Sequence, residues 1–99
     1  MIKATITKTK LANYFKITET ALSMVKITQV LSNKDRELCE KYLDFCRRYL
    51  SDAWHFESKG DRVNAFAALN YAHAWLDAAA VSGWFDIKHK NRNKYFTID

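Results

Sequence analysis

The chain contains no proline, and among its 99 residues it has only two glycines, Gly60 and Gly83. Because proline and glycine are the strongest turn residues, few turns are available and the elements between them must be long. Long elements favour helices over many short strands. The length fits one domain with a single modest core. The sequence therefore predicts one helical domain over 1–99, with 1–8 and 88–99 as flexible or extended ends.

Long apolar runs are also missing. No segment approaches the roughly 18–20 apolar residues needed to cross a bilayer, and the N-terminal MIKATITKTK lacks the apolar core of a signal peptide. Cys39 and Cys46 lie two turns apart on a predicted helix, about 10 Å along its axis, which is too far for a disulfide. We expect buried free thiols that act as small apolar fillers, in a cytoplasmic protein without membrane contact.

The net charge of +5 is unevenly distributed. Residues 1–34 contain six lysines against Glu19 alone, and residues 88–99 contain four basic residues against Asp99. The middle of the chain, 35–87, has more acidic than basic residues. Any contact with nucleic acid or an acidic surface is therefore expected at the two ends.

Apolar residues spaced three and four apart predict three helices, at about 9–30, 34–59 and 62–82. The connection between the last two is so short that they must form an antiparallel hairpin. The predicted fold class is all-α, a three-helix bundle in which this hairpin packs on the N-terminal helix. Residues 2–7 alternate apolar and polar and have an extended pattern, and 88–99 fits a short hairpin or a loose tail.

Local signals support these boundaries. Ser32 and Asp35 have the form of a capping box before the second helix. Gly60 fits a left-handed helix end, and Asp61 can cap the helix that follows. The third helix carries alanine on nearly all sides and is expected to be the most buried, with Gly83 at its end.

The stretch YLSDAWHFESKGDRVNAFAALNYAHAWLDAAAVSGWF, residues 49–85, resembles the archaeal family called domain of unknown function 357. ETALSMVKI, residues 19–27, is similar to the family's first-helix segment, so the resemblance covers about 19–87. The residues that match the family pattern are Tyr49, Asp52, Ala53, Phe56, Lys59, Gly60, Asp61, Ala65, Phe66, Tyr71, Ala72, His73, Leu76, Asp77 and Ala78.

This chain departs from the family where Ala74 replaces a common glycine, and the basic tail beyond Ile87 looks like an addition. The resemblance implies a small helical bundle in an archaeal, intracellular setting. It implies no activity.

His73 and Asp77 are one helical turn apart and can pair, and Asp52 and His55 form a second such pair. The four side chains suggest a metal site. However, Asp52 and Asp77 differ in level by about 13 Å along the hairpin, too far for one ion. The favoured interpretation is a structural polar group in which a buried Asp77 is satisfied by His73 and Arg48.

Two surfaces are candidates for binding. The large number of aromatic residues for a chain of this size suggests a surface for a protein partner or a second copy. The candidate residues are Trp54, Trp75, Trp84 and Phe85. The basic tail offers candidate nucleic-acid contacts at Lys88, Lys90, Arg92 and Lys94, although a solvated tail explains them equally simply.

The sequence shows no phosphate-binding glycine loop, no catalytic triad and no carboxylate pair in a recognisable frame. We therefore expect a protein that is not an enzyme and needs no cofactor. The favoured function is a non-catalytic protein-interaction module that forms a homodimer. The alternative is weak nucleic-acid binding through the basic ends, and a metal or catalytic role of His73 and Asp77 comes third.

Overall fold

A computed structural model describes residues 5–88 and 91–96. Within these ranges the chain is helical, and its three long helices confirm the all-α prediction. No helix among the described residues is long and apolar enough to cross a membrane. The elements in chain order are α1 (Lys8–Met24), α2 (Asn33–Ser58), α3 (Arg62–Val81) and the short α4 (Arg92–Tyr95).

The predicted caps of α2 and α3 and the turn between these helices are confirmed. The Ser32 hydroxyl accepts a hydrogen bond from the backbone N–H of Asp35 at 3.1 Å, which caps α2. Asp61 caps α3 in the same way through Asn64. Gly60 has φ +74°, the left-handed conformation that lets α2 stop and the chain reverse within a few residues. α2 and α3 therefore pack against each other along their lengths as an antiparallel hairpin.

The first helix is shorter than predicted. It ends at Met24 rather than near Val30, because the backbone becomes extended from Val25 onward. The extended segment 25–28 lies antiparallel to 84–86, with a bridge between Ile27 and Phe85. Two backbone hydrogen bonds of 2.8–2.9 Å join the segments. The pairing of 25–28 with 84–86 therefore outweighs the helical preference of this segment. That preference is weak because β-branched residues are frequent here, and such residues favour extended backbone.

α3 is the most buried helix, as predicted: seven of its 20 residues are buried, against four of 17 in α1 and four of 26 in α2. α2 covers one side of α3, and α1 packs on an adjoining side. The buried residues form two clusters. The cluster nearer the hairpin turn contains Leu11, Phe15, Ala53, Ala65, Ala68 and Leu69. The larger one contains Ala21, Cys39, Leu43, Cys46, Ala72, Leu76, Ala79, Ala80, Trp84, Ile87 and Phe96.

In the described part of the C-terminal segment, Arg92–Tyr95 forms the short helix α4 rather than a hairpin or a loose tail. Ile87 and Phe96 are both buried, and the ring of Phe96 meets Phe85 edge-on at 6.1 Å. These two anchors hold α4 against α1. Residues 2–4 of the segment predicted to be extended lie outside the described residues. Of that segment, Thr7 is the N-cap of α1.

Candidate functional site

His73 is a junction between three helices. Its Nε2 lies 2.7 Å from the backbone carbonyl of Tyr95 in α4, and its Nδ1 lies 3.0 Å from the Thr18 hydroxyl in α1. Because a carbonyl only accepts, Nε2 carries the proton that is donated to Tyr95. In the neutral ring Nδ1 then accepts from the Thr18 hydroxyl. Both nitrogens are thus used to tie α1 and α4 to α3.

Asp77 belongs to this junction more loosely than predicted. Its Oδ1 is 3.8 Å from His73 Nε2, which is too long for a hydrogen bond and is an ion pair only when His73 is protonated, and its side chain is 28% exposed. Asp77 is therefore half-buried at the rim of the junction, whereas the sequence predicted that it would be largely buried.

Arg48 does not belong to the junction, so that part of the prediction is wrong. Its guanidinium pairs with Asp44 at 2.9 Å on the outer face of α2, and its side chain is 71% exposed. By spacing from Gly60, position 48 lies within one residue of the level of His73, but the Arg48 side chain points to solvent. Asp52 and His55 are also exposed. Among the described residues, no group of three or more His, Cys, Asp or Glu side chains is placed to hold a metal ion.

The two cysteines are buried and unpaired, as predicted. Burial raises the pKa of the Cys46 thiol to about 11, although the nearby Arg47 acts in the opposite direction. The pKa of Cys39 is also raised, first by burial and then by the charge of Glu40. Both side chains therefore remain protonated, poorly nucleophilic thiols at neutral pH, which agrees with their role as apolar packing groups.

The four aromatic residues predicted as one interaction surface do not form one. Trp84 is buried in the larger cluster. Trp54 is 46% exposed but stacks on Phe15 of α1, with ring centres 3.9 Å apart. Trp75 lies on the other side of the hairpin, against Tyr42 and Phe45 of α2. The sequence analysis chose these residues because they are aromatic and did not determine on which face of its helix each one lies.

A different aromatic surface is present, and we call it the aromatic flank. It consists of Tyr42, Phe45 and Tyr49 on α2 with Tyr71 and Trp75 on α3. Tyr49 stacks on Tyr71 with ring centres 5.3 Å apart, and Phe45 meets Trp75 at 4.8 Å.

The flank faces away from α1. Leu69 and His73 face α1, and each is followed two residues later by a ring of the flank, Tyr71 and Trp75 respectively. Two residues turn an α-helix by about 200°, so these two rings lie on the side of α3 that is opposite α1. Tyr71 is 61% exposed, and Phe45 is also exposed. The other three rings of the flank, Tyr42, Tyr49 and Trp75, are half-buried against the larger core cluster.

The sequence contained a signal for this surface. In a hairpin that turns at Gly60, a residue is level with its partner when both are equally far from the glycine. Tyr49 and Tyr71 are equally distant from Gly60, and so are Phe45 and Trp75. The two ring contacts follow from this register.

The predicted nucleic-acid contacts in the tail have different surroundings. Arg92 donates from Nη1 to the Ile87 carbonyl at 3.0 Å and so holds the tail's own backbone. Lys88 is exposed. Lys94 lies on a cleft between α4 and α1, with its Nζ 5.5 Å from the centre of the Tyr95 ring. Lys90 lies outside the described residues.

The fold and the side-chain packing define a small helical-bundle protein built on one helical hairpin. The family model described as "Protein of unknown function (DUF357)" matches residues 13–85, so the chain belongs to that family. This confirms the resemblance seen in the sequence, over nearly the same residues. No curated protein and no solved structure matches the chain.

Proposed function

We propose that this protein is a non-catalytic helical interaction module that forms a homodimer through the aromatic flank. The observation that carries the proposal is the set of five aromatic side chains on the outer side of the hairpin, in which Trp75 packs on Tyr42 and Phe45, Tyr49 stacks on Tyr71, and Tyr71 is mostly exposed. Aromatic rings that are rigidly held and partly accessible are typical centres of protein interfaces.

The charges beside the flank favour a second copy as the partner. Lys41 precedes Phe45 by four residues and Asp52 follows it by seven, so the three side chains share one face of α2. Both charged residues are exposed. Lys41 and Asp52 are three helical turns apart, about 16 Å along the axis.

If a two-fold axis crosses α2 midway between Lys41 and Asp52, Lys41 of each copy faces Asp52 of the other copy. Such an interface is isologous, so the pair occurs twice. The same arrangement places Phe45 level with Arg48 of the second copy, where a guanidinium can lie over the ring. Unlike charges at the edges and aromatic rings at the centre are what a self-complementary surface requires.

Charge reversal provides the test. The molar mass is measured by sedimentation at increasing concentration for the wild type, Lys41→Glu, Asp52→Lys and the double variant. We expect the wild type to exceed the monomer mass of 11.6 kDa, and each single variant to dissociate about tenfold more readily, because each creates two like-charge contacts. The double variant should recover the wild-type association.

Lys16→Glu is the matched control, since it makes the same change in net charge on α1, away from the flank, and should dimerise like the wild type. A wild type that stays at 11.6 kDa at all concentrations would overturn the proposal. So would a double variant that associates no better than the single ones.

The proposal gives His73 a structural role rather than a catalytic or metal-binding one. Its support is that both ring nitrogens already have partners within the fold. A melting temperature that falls on addition of a chelator in the wild type, but not in His73→Ala, would contradict this role. We further propose a cytoplasmic setting, supported by two buried cysteines that are not joined in a disulfide, and an archaeal one, which the resemblance to the family implies.

A further inference from the structure

The fold brings the two basic ends of the chain together. α4 packs on α1, and Lys16 and Lys94 line the same cleft although they come from opposite ends of the sequence. This cleft has a volume of about 360 Å³ and is also lined by Asn13, Thr20 and Tyr95. The uneven charge distribution of the sequence thus becomes a local feature of one surface.

The cleft continues in both directions along α1. Ile17 and Lys94 are shared with a neighbouring cleft of about 350 Å³ that reaches His73 and Asp77. Ile17 is also shared with a third, of about 250 Å³, beside Lys10 and Tyr14. We call the continuous depression the α1–α4 groove. It lies on the α1 side of the hairpin, opposite the aromatic flank.

The walls of the groove combine positive charge with hydrogen-bonding groups. Its charged lining residues, among those the structure describes, are the lysines Lys10, Lys16 and Lys94 and the carboxylate Asp77. The neutral polar lining comes from Asn13, Thr20 and Asn70. Three cations against one anion, in a concave surface with low-dielectric walls, concentrate anionic ligands.

One aromatic ring is available within the groove. Tyr14 is 36% exposed and is held edge-to-face by Phe66, with ring centres 5.1 Å apart. This contact fixes the ring and leaves part of it open to a ligand. Lysines that follow a groove, together with a fixed aromatic ring, are the two elements by which proteins bind single-stranded nucleic acid.

We propose that the α1–α4 groove binds single-stranded nucleic acid, with Lys10, Lys16 and Lys94 contacting phosphates and Tyr14 stacking on a base. A single strand is the appropriate form because its bases expose their faces, whereas a duplex keeps them stacked inside. The groove offers few base-specific groups, so binding is weak in sequence preference and strong in salt dependence.

The test is fluorescence anisotropy with a short labelled oligothymidylate at low salt. We expect the wild type to bind it, and Lys16→Glu and Lys94→Glu each to bind about tenfold more weakly. Lys34→Glu is the matched control. It changes the net charge equally, at an exposed position outside the groove, and should stay close to the wild type.

The salt dependence gives a second measurement. Removing one phosphate contact should lower the slope of log affinity against log salt by about 0.7 for single strands. Tyr14→Leu should weaken binding about fivefold or more and leave the slope unchanged, because stacking releases no counterions. These opposite signatures separate the lysine contacts from the stacking contact.

Several outcomes would overturn the proposal. The first is an absence of binding at low salt. The second is an equal loss of affinity in Lys16→Glu, Lys94→Glu and Lys34→Glu, which would show that only net charge matters. The third is equal affinity for the oligothymidylate, a duplex of the same length and an acidic peptide. All variants must give the wild-type far-ultraviolet circular dichroism spectrum, so that a loss of binding is a loss of contacts.

Discussion

The two outer sides of α3 are stabilised by different physics. On the side of α1, the ring of His73 forms directional hydrogen bonds of 2.7 and 3.0 Å to two other helices. On the opposite side, Tyr71 and Trp75 make apolar ring contacts with α2 and stay partly open to solvent. Both ring nitrogens of His73 are used within the fold, whereas the rings of the aromatic flank keep exposed area. We infer that the His73 junction holds the bundle together and that the flank serves a protein partner.

Between these two sides runs the buried stripe of α3, and its truncation should have the largest effect on stability. Leu76 is fully buried in the larger core cluster. Leu76→Ala should lower the free energy of unfolding by about 2–5 kcal/mol, because it removes buried methyl groups and leaves a cavity. Urea denaturation measures the change.

Val81→Ala is the matched control on the same helix. Val81 is exposed, so the variant should stay within about 0.5 kcal/mol of the wild type. Similar losses in the two variants would mean that the core does not lie where the structure places it.

The next largest effect is expected on the polar side. His73→Ala should cost about 1–3 kcal/mol in the free energy of unfolding, since it leaves the buried Thr18 hydroxyl and the Tyr95 carbonyl without this partner. His55→Ala on the exposed face of α2 controls for the loss of a histidine. A double-mutant cycle with Thr18→Val should show coupling between positions 18 and 73. Strictly additive losses would argue against the hydrogen bond.

Asp77 tests how far the polar junction extends. Its contact with His73 is long, and its side chain is partly exposed. Asp77→Ala should therefore cost about 1 kcal/mol or less, below the cost of His73→Ala. Urea denaturation of both variants in the same buffer gives the comparison. A loss for Asp77→Ala equal to that of His73→Ala would show that the carboxylate is an essential member of the junction.

The aromatic side should respond differently from the polar side. Tyr71→Ala should lower the stability of the monomer by only about 0.5–1 kcal/mol, because the ring is mostly exposed and loses one stacking contact. The same variant should weaken self-association clearly. Denaturation at low protein concentration and sedimentation at high concentration separate the two effects. A variant that loses much stability and no association would make the flank part of the core.

The sequence predicts what local physics determines. The caps at Ser32 and Asp61 and the turn at Gly60 follow from short-range chemistry, and the hairpin register about Gly60 determines which rings of α2 and α3 meet. Features that depend on distant contacts were missed. α1 ends early because Ile27 pairs with Phe85, and no local sequence pattern predicts that pairing.

The candidate site illustrates the same division. Helical spacing correctly placed His73 one turn before Asp77, but the partners of His73 come from α1 and from a C-terminal segment that was predicted to be a short hairpin or a loose tail. The C-terminal anchor, Phe96, stands beside Tyr95 in an otherwise polar, basic stretch. Two adjacent aromatic residues give no periodicity, so the burial of Phe96 depended on the tertiary structure.

The smallest expected effect concerns Arg48. The sequence assigned it to the polar side because it is level with His73 across the hairpin, whereas the structure places it on the outer face of α2 with Asp44. An exposed pair one helical turn apart contributes about 0.3–0.5 kcal/mol and is screened by salt. Arg48→Ala should therefore change the free energy of unfolding by less than about 0.5 kcal/mol, and less still at high salt. Asp44→Ala should behave alike, and a double-mutant cycle between positions 44 and 48 measures the pair itself. If Arg48→Ala instead cost as much as His73→Ala, and coupled to Asp77 rather than to Asp44, Arg48 would belong to the polar junction after all.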